Sequence, residues 1–422
     1  MLDSEARNSN IELLRIICML LIIVYHFNLH TVFTNMFDQN SVTFLLHEFC
    51  LDWGETSVLA FILISGYYLI TQPFKLKKII NIVIVVTFYS IVLTIVAASF
   101  NIIQFDGHYA LEMIFPIIST SYWFVTYYIV LLLLQPFLNI LLNGITKSRY
   151  ILLLSLLIFL TVMTKIIPVT PMISSSQMIS LILAYSIGGY FRRFPSIITN
   201  SKKTGPVLIT ICVIYSLLFN HYLIDTYYKK TVDITYGYWP FFIFMIISLI
   251  VILVILLWDR VQNKTKYLFI ASISLYLISL PIIAYTKQWG IINDFKRPDC
   301  GFCLISAIGL FLLFKNLKPN SNKVINWIAA STLSIYIIHD SNTVRTWLWN
   351  TVIKGGDALS KSVLEFTATM MLSVFSIFAV CVIIDRARHY LIFNPFRKLI
   401  DKYHSVISDK IKTIEARIDG PD

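Results

Sequence analysis

Two ionisable residues stand inside an apolar stretch near the start of the chain, Arg15 and His26 in IELLRIICMLLIIVYHF. Such groups are costly at bilayer depth, so they read as functional candidates. Eleven residues make about three helical turns plus roughly 20 degrees, which puts both side chains on one face about 16 Å apart along the axis. Cys18 and Ile22 are expected between them on that face. A guanidinium stays charged and donates paired hydrogen bonds to phosphate, and an imidazole moves protons near neutral pH. The plainer alternative makes Arg15 a snorkelling anchor and His26 a helix-pairing group.

A second polar stripe lies late in the chain, in STLSIYIIHD. Thr332, Tyr336 and His339 fall at i, i+4 and i+7, one face of a helix, and either join neighbouring helices by hydrogen bonds or line a site. In GETSVLAFILISGYYL, Glu55 lies near one end and Ser65, Gly66 and Tyr67 near the other. The Ser-Gly pair reads first as close helix packing and only second as a nucleophilic serine. Trp123 opens TSYWFVTYYIVLLLLQP, where its ring suits stacking on a sugar or an interfacial aromatic belt. Asp38, His47, Glu48 and Asp52 read as solvated loop groups, with contact to hydroxyls of a ligand as the alternative. Of six scattered cysteines, Cys300 and Cys303 form one CxxC, without the second pair a zinc site wants. No metal-ligand spacing, Walker A loop or Rossmann fingerprint is found, so no metal is expected.

The elements that must hold these groups follow from composition. Of 422 residues, 57% are hydrophobic and 14% charged, where a soluble domain has about a quarter charged. The apolar residues form runs of about 17 to 25, the length that crosses roughly 30 Å of hydrocarbon. The expected fold is all-α, a polytopic integral membrane bundle of about 10–12 transmembrane helices. Candidate spans are Ile11–Leu29, Gly54–Thr71, Ile79–Phe100, Tyr122–Leu142, Tyr150–Val169, Met178–Phe191, Val207–Tyr222, Trp239–Trp258, Tyr267–Tyr285, Gly301–Phe314, Val324–Asp340 and Ser362–Ile384. Ile11–Leu29 reads as a retained first helix: it exceeds a signal-peptide core and no small-x-small pattern follows it.

Loop charge orients the bundle. With the N-terminus inside, inner loops carry Lys75, Lys77 and Lys78, then Lys147 and Arg149, then Arg192, Arg193, Lys202 and Lys203, while the outer loops Asn28–Trp53 and Asn101–Ser121 hold no Lys or Arg. That alternation predicts N-in/C-in topology. The net charge of +11 is thereby a feature of topology, and no nucleic-acid partner is expected. Residues 1–386 are expected to be the membrane domain and 387–422 a cytoplasmic tail whose apolar residues recur at steps of three and four. Such a helix suits membrane lipid or a second chain, which makes a homo-oligomer one candidate assembly.

Taken in order, these motifs resemble the membrane-bound acyltransferase-3 family. Arg15 and His26 match its first-helix pair; Val58, Phe61, Ser65, Gly66 and Tyr67 match its second-helix segment; Trp123 and Phe124 match the pair opening its fourth; and Ser334, Tyr336 and His339 match its late motif. Lys75, Lys77 and Lys78 stand where the family is often arginine-rich. The resemblance covers about Asn10 to Asp385 and lacks the appended extracytoplasmic domain of some members. It implies a plasma-membrane enzyme moving an acetyl group from acetyl-CoA to a hydroxyl of a surface or lipid-linked glycan. His26 would be base or nucleophile, with His339, Tyr336 and Glu55 as further catalytic residues. Arg15 with Lys75, Lys77 and Lys78 would hold the donor, and Trp123, Ser65 and Tyr67 the acceptor. Rival readings are a transporter or flippase of a lipid-linked oligosaccharide and a glycan polymerase; neither consumes a thioester.

Overall fold

A computed structural model of the chain describes residues 8–33, 42–119, 121–166, 176–223 and 301–394. Among them there are helices and connections and no strand. Helix α1 spans Ser9–His30 and begins where the Asn8 side chain accepts from the Asn10 N–H, satisfying one of the donors a helix start leaves open. Then follow α2 Val42–Leu51, α3 Trp53–Leu69, α4 Leu76–Ser99, α5 Gly107–Ile114 and α6 Trp123–Gly144. Helices α7 Lys147–Ile166, α8 Ser176–Arg193 and α9 Thr204–Leu223 precede α10 Gly301–Lys315. The chain continues through α11 Lys323–Ala329 and α12 Thr332–His339 to α13 Val363–Arg388, which opens on a Ser362–Glu365 capping box and runs on into a wider turn, His389–Phe393. Among the described residues five helical runs are long and apolar enough to cross a membrane: α1, α2 with α3, α4, α6, and α13 with the turn after it.

Helices α3 and α8 approach closely because each lends a glycine. A Cβ on Gly66 would lie 2.0 Å from the Tyr185 carbonyl oxygen, and one on Gly188 2.3 Å from that of Leu63. In lipid, where water does not drive helices together, such close backbone contact holds them. The Ser65-Gly66 pair is thus a packing element. Helix α6 fastens the open end of α3: Asn139 and Asn143 donate to the carbonyls of Leu69 and Ile70 at 2.8 and 2.9 Å, and Gln135 to that of Gln72 at 3.2 Å. These bonds satisfy carbonyls the helix end cannot pair itself.

Three expectations change. The span Val324–Asp340 is two short helices, because the chain turns at Ala330 and Ser331, where Arg386 donates to the Ser331 hydroxyl at 2.6 and 2.8 Å. The stretch expected as the first outer loop contains α2, and His47 and Asp52 are core groups: His47 is buried and bonds the Asn28 side-chain oxygen at 2.9 Å, while buried Asp52 accepts from Ser216 and from Asn220 at 2.7 Å. Desolvation makes such bonding obligatory. Cys18 is fully buried away from the Arg15 face, where Met19 stands with Ile22, as the 100-degree step per residue requires. Asp38, Cys300, the spans Trp239–Trp258 and Tyr267–Tyr285, and the tail from Phe396 lie outside the described residues.

Candidate active site

A cavity of about 470 Å³ runs along α1 and is walled by α3, α4, α6 and α12. Its lining reaches from Arg15 to His30, fifteen residues or about 22 Å of helix. Of the residues singled out in the sequence, Arg15, His26, Glu55, Ser65, Lys78, Trp123 and Tyr336 line it. His339 stands directly behind His26. Lys75, Lys77 and Tyr67 are not in the wall: Lys75 and Lys77 lie at the start of α4, and the Tyr67 ring faces Phe311 and the cations of Arg192 and Lys315.

The two histidines form a hydrogen-bonded chain whose direction can be read. His339 Nδ1 lies 2.6 Å from the Ile335 carbonyl, and a carbonyl only accepts, so this nitrogen carries the proton. The Nε2 of a neutral His339 is then bare, and the His26 Nδ1 at 2.9 Å must donate to it. One bond fixes the next tautomer, and the His26 Nε2 keeps a free lone pair. Both rings are buried, His26 7% and His339 0% exposed.

A second chain runs the same way and ends with opposite polarity. The Ser65 hydroxyl donates to the Phe61 carbonyl at 3.0 Å, so its oxygen accepts from Tyr128 at 3.2 Å, and Tyr128 accepts from the Lys78 ammonium at 3.2 Å. With its proton held by the backbone, Ser65 is a link between helices and no nucleophile. The cavity thus has a base on α1 and an ammonium on α4. Arg15 adds a second cation, paired with Glu12 at 3.5 Å. The hydroxyl of Tyr336, 5% exposed, has no hydrogen-bond partner among the described residues.

Sequence reasoning missed His30, Asp340, Arg345 and Tyr128. His30 lies one turn beyond His26, an i, i+4 histidine pair that was there to be seen. Asp340 Oδ1 lies 3.4 Å from His30 Nε2, 3.8 Å from His26 Nδ1 and 3.3 Å from an Arg345 nitrogen. His26, His30 and Asp340 bring potential ligand atoms within 4.8 Å of one another, the donor types zinc accepts. Here His26 Nδ1 is engaged by His339 and the carboxylate by Arg345.

The fold and the site define a helical membrane protein in which a buried pair of imidazoles and two half-buried cations meet one cavity. A family model described as an acyltransferase domain matches residues 8–298, more than half of the chain, and the chain belongs to the acyltransferase-3 family. It is an acyltransferase of the membrane. The match takes in Arg15, His26, Lys78 and Trp123 and ends before Tyr336, His339 and Asp340. No curated protein and no solved structure matches the chain.

Proposed function

We propose that this acyltransferase moves an acetyl group from acetyl-CoA, bound at the Arg15 end of the cavity, to a hydroxyl of a surface or lipid-linked glycan entering at the His30 end. The observation that carries this reading is the His26–His339–Ile335 chain, which leaves a basic nitrogen on a cavity reaching a guanidinium and an ammonium. The His26 Nε2 lone pair takes the acceptor proton or receives the acyl group itself. The Tyr336 O–H donates to the oxyanion formed at the thioester carbonyl, a role that suits a buried hydroxyl without another partner. Arg15 and Lys78 hold phosphate and polarise the donor, and Trp123 offers its face to a sugar ring. With the Arg15 end facing the cytoplasm, as loop charge predicts, the cavity joins a cytoplasmic donor to an acceptor across the plasma membrane.

The test uses the purified full chain in detergent with labelled acetyl-CoA and a glycan acceptor. Thioester consumption and label on the acceptor are expected in the wild type and lost in a folded His26→Ala variant. Intact transfer in that variant would refute the assignment, and a transporter or polymerase would leave the thioester untouched.

A further inference from the structure

His26 gains positive charge as it takes the acceptor proton or the acyl group, and a buried cation needs an anion nearby. Its hydrogen-bond partner His339 is neutral and cannot supply one. Asp340 can. It is the first residue past α12, its N–H is tied to the Tyr336 carbonyl at 3.1 Å, and it is 5% exposed. The end of the helix therefore fixes its backbone, and the carboxylate oxygen stands at the meeting point of His26, His30 and Arg345.

We propose that Asp340 is a positioning residue for acyl transfer, holding its carboxylate against the His26 ring to neutralise the charge that the ring acquires, with His30 and Arg345 anchoring that carboxylate. This rests on the function proposed above. In direct transfer the acceptor O–H proton passes to His26 Nε2, the oxygen bonds to the thioester carbon, and the carbon–sulfur bond breaks. The proton then leaves His26 for the departing thiolate. Asp340 neither gains nor loses a proton; it stays an anion 3.8 Å from Nδ1 throughout. Arg345 is the outermost member, its side chain 32% exposed. Its cation keeps the carboxylate from turning away into solvent.

Two measurements on the full chain test this. In the first, Asp340→Asn is expected to lower kcat by about 10²- to 10³-fold, the range seen when one electrostatic stabiliser is removed. The KM for acetyl-CoA and the thermal midpoint should stay close to wild type, and Asp340→Glu should regain at least part of the rate. The second needs no acyl-CoA. Diethyl pyrocarbonate acylates imidazole nitrogen, and mass spectrometry reads the extent at each histidine. Labelling of His26 should slow about tenfold in Asp340→Asn, the scale of one charge contact at this separation, while His108, whose side chain is 73% exposed, serves as internal reference. Unchanged His26 labelling overturns the proposal whether or not the wild type consumes acetyl-CoA. Equal loss in Asn and Glu variants with a lowered thermal midpoint assigns Asp340 to folding alone and overturns it too. A wild type that labels as expected but leaves acetyl-CoA intact refutes the acetyl-transfer reading and not the pairing.

Discussion

Replacing His339 with alanine removes the acceptor that fixes the His26 tautomer, and the structure gives the size of the effect. The bond lost is 2.9 Å long and buried, and on the proposed mechanism it is made to a ring that becomes charged during transfer. A hydrogen bond to a charged group contributes about 1.5 to 3 kcal/mol, and about 1.36 kcal/mol is tenfold in rate, so kcat should fall about 10- to 150-fold. The proton on His26 is then also free to move to Nε2 and block the base. In a serine-protease triad a wrong tautomer lowers kcat by about 10⁴-fold, which sets the ceiling. Asp340, 3.8 Å from the same nitrogen, offers the stranded N–H another acceptor and holds the loss nearer the lower figure. His339→Gln supplies a carbonyl oxygen that accepts from Nδ1 and should recover part of the rate. The assay is thiol release from acetyl-CoA by purified protein, with thermal unfolding as the control for folding. An alanine variant within twofold of wild type, or Gln and Ala variants equally slow at wild-type thermal midpoint, would refute the tautomer argument.

Tyr336→Phe keeps the ring and removes a hydroxyl that has no partner among the described residues. Its kcat should drop about tenfold or more while the thermal midpoint holds or rises, since a buried polar group is relieved; an unchanged kcat would remove the oxyanion role. Gly66→Ala places a methyl 2.0 Å from the Tyr185 carbonyl oxygen. It should destabilise the α3–α8 contact by about 1 to 3 kcal/mol, seen as a lowered thermal midpoint in detergent, and a midpoint equal to wild type would show that the helices separate without cost.

Periodicity made α1 legible. Because 3.6 residues complete a turn, Arg15, Ile22 and His26 share the cavity face, and the same arithmetic should have given Met19 and His30 in place of Cys18. Gly66 was legible as a packing residue because small residues in apolar helices have few other uses. Hydropathy did not show the break at Ser331, since an alanine and a serine interrupt no apolar run; the turn is held by Arg386, 55 residues away. Asp340 was seen only as the end of a span, because its partners His26 and His30 lie more than 300 positions earlier. His47 and Asp52 passed for loop charges for a similar reason: their partners come from α1 and α9. The segment VTFLLHEFCL, apolar at most positions, was the local sign that this stretch is no loop.

The glycine seam between α3 and α8 gives the cavity one wall whose backbones touch directly. Backbones in direct contact cannot slide or part without losing the contact along its length, and the apolar window of α2 with α3 is 78% buried. Helices α4 and α6, across the cavity, bury 33% and 39% of theirs and turn the remainder outward. Helix α6 is tied to α3 through Asn139, Asn143 and the Ser65–Tyr128 bond, so widening to admit a bulky molecule would open first at α4, where the Lys78–Tyr128 bond is the latch. The Arg15 and His26 side chains ride on one helix, α1, which packs against α3, so the distance between guanidinium and imidazole is set like marks on a ruler.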